Sequence, residues 1–208
     1  MLRYVLQRLG LYPTFLLYRG WLSEVGWVKT SIPREPVTRE GEPLPWMTYP
    51  AIRFLESRLS KSLVVFEFGA GNSTLWWADR VEQVDSCEHD PQWYMKTLAR
   101  LPKNASVTHH VLDTDGDYCR AVEATQRKYD IVIIDGRDRV NCAKRCVGAL
   151  KPSGVVIWDN SDRPEFEVGF QILAREGFRS LDFEGLGPVN PYPWSTSILY
   201  RDENCLGI

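Results

Sequence analysis

From residue 63 onward, short apolar runs alternate with segments whose apolar residues recur at helical spacing. The runs at 63–68, 81–87, 106–112, 129–134, 154–158, 178–183 and 195–200 read as strands. The segments 73–80, 90–101, 117–127, 137–150 and 163–176 read as helices separating the first six strands. This alternation predicts a parallel sheet covered by helices on both faces. The gap before the last strand holds Gly185, Gly187, Pro188, Pro191 and Pro193 instead of a helix. A loop of that kind suits an antiparallel return, so the fold class expected is α/β, a doubly wound seven-stranded sheet whose last strand runs against the others.

Upstream, Leu2, Val5, Leu6 and Leu9 keep helical spacing until Gly10, and Thr14 is expected to cap a second helix carrying Phe15, Leu16, Leu22 and Val25. Residues 31–50 form an extended connector containing Pro33, Pro36, Pro43, Pro45 and Pro50. Thr48 is expected to cap the next helix, whose buried stripe is Ile52, Leu55 and Leu59. The chain therefore divides into a helical, proline-rich extension at 1–50 and a main domain at 51–208.

With 208 residues, 44% of them hydrophobic and 25% charged, the chain is long enough to bury one full core. A formal net charge of −2 gives no signal for a polyanionic partner, so no nucleic acid is expected. Five cysteines in no framework spacing favour free thiols and a reducing, cytoplasmic setting. Cys142 and Cys146 can share a helix face, but no further ligands follow at zinc-site spacing. Arg3, Arg8 and Arg19 interrupt the apolar amino terminus, which neither spans a membrane nor reads as a signal peptide. These helices read as a cap or homodimer contact in preference to a membrane-surface anchor.

The candidate chemistry sits at the strand ends. Glu67-Phe68-Gly69-Ala70-Gly71-Asn72-Ser73-Thr74 joins a buried strand, a glycine turn and a helix start. Gly69 and Gly71 permit a tight turn and close ligand approach. A carboxylate at Glu67 would repel a pyrophosphate and suits a ligand carrying a positive amino or sulfonium group. With Thr74 at the place of a third glycine, it also disfavours a nicotinamide dehydrogenase. Glu88, at the end of the second strand, stands where a doubly wound fold places an acid for ribose hydroxyls. Asp113 ends the third strand, and it or Thr114 is expected near the adenine of a nucleoside-bearing ligand, while the acids of 113–117 lack the remaining positions of a calcium loop. His109 and His110 read as packed or edge residues.

Strand four ends in Asp135-Gly136 and strand five in Asp159-Asn160, so these side chains converge on one sheet edge. Two carboxylates and an amide oxygen fit a magnesium ion (Mg2+) that would hold and acidify a substrate hydroxyl. A helix cap at Asp159-Asn160-Ser161 and a plain turn at Asp135-Gly136 are the bland alternatives. Arg137 or Arg139 could hold an anionic substrate group, or belong equally well to a solvated first helical turn. Trp46, Tyr49 and Trp194 could offer flat faces to a sugar or aryl ring, and Trp46 and Tyr49 could equally do no more than staple the next helix down.

Together these residues resemble the class I S-adenosylmethionine-dependent methyltransferases over about residues 50–208. Glu67-Phe68-Gly69-Ala70-Gly71 looks like their first motif, Glu88 like their ribose-binding acid, and the final strand pair like their reversed seventh strand, which implies the Rossmann-like form of the doubly wound fold. The resemblance implies a cofactor site of Glu67, Gly69, Ala70, Gly71, Asn72, Ser73, Glu88, Asp113 and Asp135. Asp135, Asp159 and Asn160 resemble the metal ligands of catechol-type O-methyltransferases. Those enzymes carry a base lysine three residues past the first aspartate; Asp138 stands there, so either Lys144, one to two turns on, takes the proton or the metal alone suffices, and Asp135 and Lys144 are the candidate catalytic residues. The expected function is methyl transfer from S-adenosylmethionine to a hydroxyl of a small acceptor, a sugar or a phenol. The alternative is a non-catalytic, cofactor-binding partner subunit docked through the amino-terminal helices.

Overall fold

The computed structural model describes residues 1–30 and 33–208. The chain opens with four short helices, α1 (Leu2–Arg8), α2 (Tyr12–Arg19), α3 (Trp21–Glu24) and α4 (Trp27–Thr30), followed after the proline-rich connector by α5 (Tyr49–Glu56). Strands and helices then alternate: β1 (Val64–Phe68), α6 (Asn72–Ala78), β2 (Gln83–Glu88), α7 (Pro91–Leu98), β3 (Ala105–His109), α8 (Asp117–Ala124), β4 (Tyr129–Ile134), α9 (Arg139–Ala149), β5 (Leu150–Asp159), α10 (Glu167–Arg175), β6 (Arg179–Gly185) and β7 (Trp194–Tyr200).

The seven strands form one sheet in the order β3-β2-β1-β4-β5-β7-β6. The first five are parallel, and β7 inserts between β5 and β6, antiparallel to both. The expected doubly wound architecture and reversed last strand are present. The chain reverses its direction of travel across the sheet between β1 and β4, which opens a crevice beyond their carboxyl ends.

Parity along β1 divides the core. Phe66 and Phe68 point to one face, where they pack with Tyr118 from α8, Cys142 from α9 and Leu173 from α10. Val65 points to the other, among Ile52 of α5 and Trp76 and Trp77 beside it. Glu67 has the parity of Val65 and is therefore carried beneath α6.

Two expected caps are corrected. Thr14 lies inside α2, whose N-cap is Leu11. Thr48 does stand at the N-cap of α5, but its hydroxyl donates to the Phe183 carbonyl instead of the helix. The side chain is spent on joining the connector to β6. Other contacts tie the extension to the main domain: Trp27 Nε1 donates to Asn190 O at 2.9 Å, Val189 N to Thr30 Oγ1 at 2.9 Å, and Asn72 Nδ2 to Pro36 O at 2.8 Å.

Candidate active site

A cleft of about 370 Å³ lies at the β1–β4 crossover. The glycine turn forms one wall. Gly69 has φ +96°, and a Cβ there would lie 2.9 Å from Gly136 Cα. Gly136 is equally constrained, since a Cβ on it would collide with the Tyr118 hydroxyl. Only glycine at both places lets the two strand ends close up and leave the cleft open between their loops. Gly71 caps α6, and its N–H donates to Thr74 Oγ1 at 3.1 Å.

Beside the turn stands Glu88, buried yet lining the cleft. Its Oε2 accepts the Ala70 N–H at 2.9 Å, and its Oε1 accepts the N–H groups of His89 and Asp90, each at 2.8 Å. Three backbone donors, with His89 Nδ1 2.8 Å from Oε1, thus fix the carboxylate, and Oε2 with its single donor keeps acceptor capacity. Trp93 and His89 border the same end. They were missed in the sequence, although Asp90-Pro91 marks the helix start that aims Trp93.

Glu67 does not line the cleft. It is fully buried, with Oε2 accepting from Thr74 Oγ1 and from Ser86 Oγ at 3.2 Å, while Oε1 has no partner among the described residues. Burial pushes its pKa up to about 7, against the opposing pull of the Ser73, Thr74 and Ser86 hydroxyls. Direct contact with a positive ligand group is therefore corrected to support from below the loop. Asn72 lines the cleft, but its amide is committed to Pro36 O and to Arg100 Nη1, which donates to Oδ1 at 2.8 Å.

The other end of the cleft is formed by Asp135, Gly136, Arg137, Arg139, Asn160 and Arg163, with Trp46 across from the connector. Arg139 is buried. Its Nε donates to Gly136 O at 2.9 Å, its Nη2 to Asp135 O and Asp135 Oδ1, both at 3.1 Å, and its Nη1 to Asp159 O. The guanidinium bridges the ends of β4 and β5. Asp159 turns away, its Oδ1 accepting from Thr196 Oγ1 at 2.6 Å and Trp194 Nε1 at 2.9 Å. Burial and the neighbouring Asp159 push the Asp135 carboxyl above the usual range, and Arg139 opposes that rise. Burial likewise raises Asp159, against the Thr196 hydrogen bond and the charge of Arg139.

This donor set does not fit a magnesium ion. Asp159 is committed to β7, a fixed guanidinium already bridges the two strand ends, and among the described residues no three acidic, histidine or cysteine side chains converge. An octahedral ion needs oxygens free to turn toward it. The expected trio of Asp135, Asp159 and Asn160 is corrected accordingly: Asp135 and Asn160 line the cleft and Asp159 does not.

Four further expectations fall away from the cleft. Lys144 is exposed on α9 and donates to Asn141 Oδ1 at 2.8 Å. Asp113 is exposed in the turn that ends at Gly116. Tyr49 is buried against Trp21, with ring centroids 5.6 Å apart, and Trp194 is buried over Asp159. Trp46 and Arg137 do line the cleft.

Residues 66–161 match a methyltransferase domain. No curated protein matches the chain. Among solved structures, a precorrin-8w decarboxylase of Methanobacterium thermoautotrophicum is 19% identical, with TM-score 0.56, over 73% of this chain and 88% of that one. An rRNA methylase of Streptococcus thermophilus is 15% identical, TM-score 0.53, over 76% and 100%. A precorrin-6y C5,15-methyltransferase of Geobacter metallireducens is 16% identical, TM-score 0.53, over 74% and 87%. At such identities the structural likeness speaks for the fold. The matched methyltransferase domain runs from β1 to just past β5, so it contains the glycine turn, Glu88, Asp135 and Arg139. Together, domain and fold support S-adenosylmethionine-dependent methyl transfer.

Proposed function

We propose that the protein transfers a methyl group from S-adenosylmethionine to a hydroxyl of a small acceptor, without a metal ion. The observation that carries this is the division of the cleft at the β1–β4 crossover. A glycine turn and a fixed carboxylate, Glu88, stand on one side, and an arginine-held carboxylate, Asp135, on the other.

S-adenosylmethionine, when bound, supplies a methyl carbon made electrophilic by a sulfonium sulfur. Glu88 accepts the ribose hydroxyls, and Trp93 offers a flat face for the base. The turn at Gly69–Gly71 lets the ligand approach the backbone closely, as its open space at Gly71 permits. Asp135 receives the acceptor hydroxyl as a hydrogen-bond donor, and Arg139 holds that carboxylate in one orientation. The acceptor oxygen forms a bond to the methyl carbon as the carbon–sulfur bond breaks, the electron pair leaving with sulfur. The hydroxyl proton passes to Asp135, whose raised pKa suits a temporary proton acceptor. Alignment supplies most of the acceleration in such a displacement. Five free thiols are in keeping with a reducing compartment such as the cytoplasm.

The test is calorimetry followed by turnover. S-adenosylhomocysteine should bind, NAD should not, and Glu88→Ala should weaken the former at least tenfold. Radiolabelled methyl transfer to pooled sugars, phenols, small acids and structured RNA should mark a small hydroxyl compound, survive EDTA and be lost in Asp135→Ala with cofactor affinity retained. NAD binding in place of S-adenosylhomocysteine would overturn the reading, and label appearing only in RNA would overturn the small acceptor. Cofactor binding without transfer, together with co-purification on an active enzyme, would favour the non-catalytic partner.

A further inference from the structure

The charged side chains of the cleft are engaged except on one rim. Glu88 is satisfied by three backbone N–H groups, and Asp135 is paired with Arg139. Arg137 and Arg163 also line the cleft, both exposed. Among the described residues neither guanidinium has a hydrogen-bond or ion-pair partner. Their backbones, in contrast, are held. Arg137 N donates to Tyr118 Oη at 3.4 Å, and Arg163 N donates to Asn160 O at 3.3 Å just before Pro164. Two unengaged guanidiniums thus border the cleft from anchored positions, one after β4 and one after β5.

The cleft continues past them. A second cavity of about 310 Å³ shares Gly136, Arg137, Arg139 and Arg163 with it and is completed by Val140 and Phe166. Two acids border this extension. Asp138 is already occupied, its Oδ2 accepting Asp115 N at 2.9 Å and its Oδ1 accepting Asn141 Nδ2 at 2.8 Å. Glu165 is exposed; with Asp138 it equals the two rim arginines in formal charge, so the rim is distinguished by its two unengaged guanidiniums and not by its net charge.

Resting on the methyl-transfer reading, we propose that the acceptor carries an oxyanion, a carboxylate or a phosphate ester, gripped between Arg137 and Arg163 while its hydroxyl faces Asp135. Planar guanidinium forks match both oxyanions in bidentate geometry, and charge-assisted bonds of this kind are about twice as strong as neutral ones. Arg163 is then a specificity-determining residue that sequence reading overlooked, because it lies between Asp162 and Pro164 in what reads as a helix start.

The test has one arm free of turnover. Protein saturated with S-adenosylhomocysteine is titrated with inorganic phosphate and with benzoate. Saturable binding of at least one is expected, weakened at least tenfold in Arg137→Gln/Arg163→Gln while S-adenosylhomocysteine affinity is unchanged. Benzoate alone would identify a carboxylate, and phosphate alone a phosphate ester. Failure of both to bind, or equal binding to the double variant, overturns the proposal. In the turnover arm, matched acceptors are compared, catechol with 3,4-dihydroxybenzoate and glucose with glucose 6-phosphate. The anionic member should have the lower KM by at least tenfold, a preference that Arg137→Gln/Arg163→Gln erases and Arg137→Lys/Arg163→Lys partly restores. Equal use of neutral and anionic members overturns the oxyanion and leaves methyl transfer standing. Loss of S-adenosylhomocysteine binding by the unmodified protein overturns the reading beneath it.

Discussion

Glu67 is a carboxyl group held where burial opposes its charge. Its ordinary pKa lies near 4.5, and in the fold it is pushed up to about 7. As pH rises, the unfolded chain ionises this group first, so folding loses stability between those values and carries the full deficit above them. The deficit is on the order of 3 kcal/mol. Glu67→Gln mimics the protonated form and should flatten that slope, so urea unfolding should show the variant gaining on the parent from pH 5 to pH 8. Parallel curves would mean that Glu67 stays ionised in the fold. In the sequence this residue was legible as the acid closing β1, but its role was misread. Its parity with Val65 already assigns it to the α6 face, yet the partners that receive it, Thr74 and Ser86, come from two separate elements. Asp159 misled in the same way. It stands at the expected strand end, but Thr196 and Trp194, from a strand thirty-five and more residues away, claim its oxygen.

At the scale of elements, β1 and β4 meet through two glycines rather than through side chains. Gly136→Ala places a methyl group against the Tyr118 hydroxyl and near Gly69 N, and should destabilise the protein by about 1–3 kcal/mol. Tyr118→Phe in the same chain should recover part of that loss, because it removes the atom the methyl group meets first. Chemical unfolding of the two single variants and the double variant measures the coupling; strict additivity would refute the collision. The strands themselves were read from apolar runs with errors of a few residues at their ends. The largest was β5, which begins at Leu150 instead of 154 because α9 stops at Ala149. Periodicity cannot mark that boundary, since Leu150 is apolar and suits either element.

For the molecule as a whole, the amino-terminal helices differ in how far they are committed. α1 and α2 bury no residue, whereas Thr30 at the end of α4 is fully buried and Trp27 reaches Asn190. Removing residues 1–19 should leave the urea midpoint and S-adenosylhomocysteine affinity unchanged, while removing residues 1–30 should lower the midpoint clearly. If both truncations behave alike, the contacts at Trp27 and Thr30 contribute nothing. No helix among the described residues is long and apolar enough to cross a membrane.

Local pattern by itself determined the strand count, the alternation with helices, the reversed last strand and the glycine turn with Glu88 beside it. Each of these follows from periodicity, from glycine's backbone freedom or from the fixed offset between successive strand ends. Tertiary structure alone decided which side chains face the cleft and which are already engaged. It buried Tyr49 and Trp194, turned Lys144 and Asp113 to solvent, laid Arg139 across the ends of β4 and β5, and left Arg137 and Arg163 without side-chain partners among the described residues. The reason is physical: a side chain's availability depends on what packs against it, and in a doubly wound sheet those neighbours come from strands far apart in the chain.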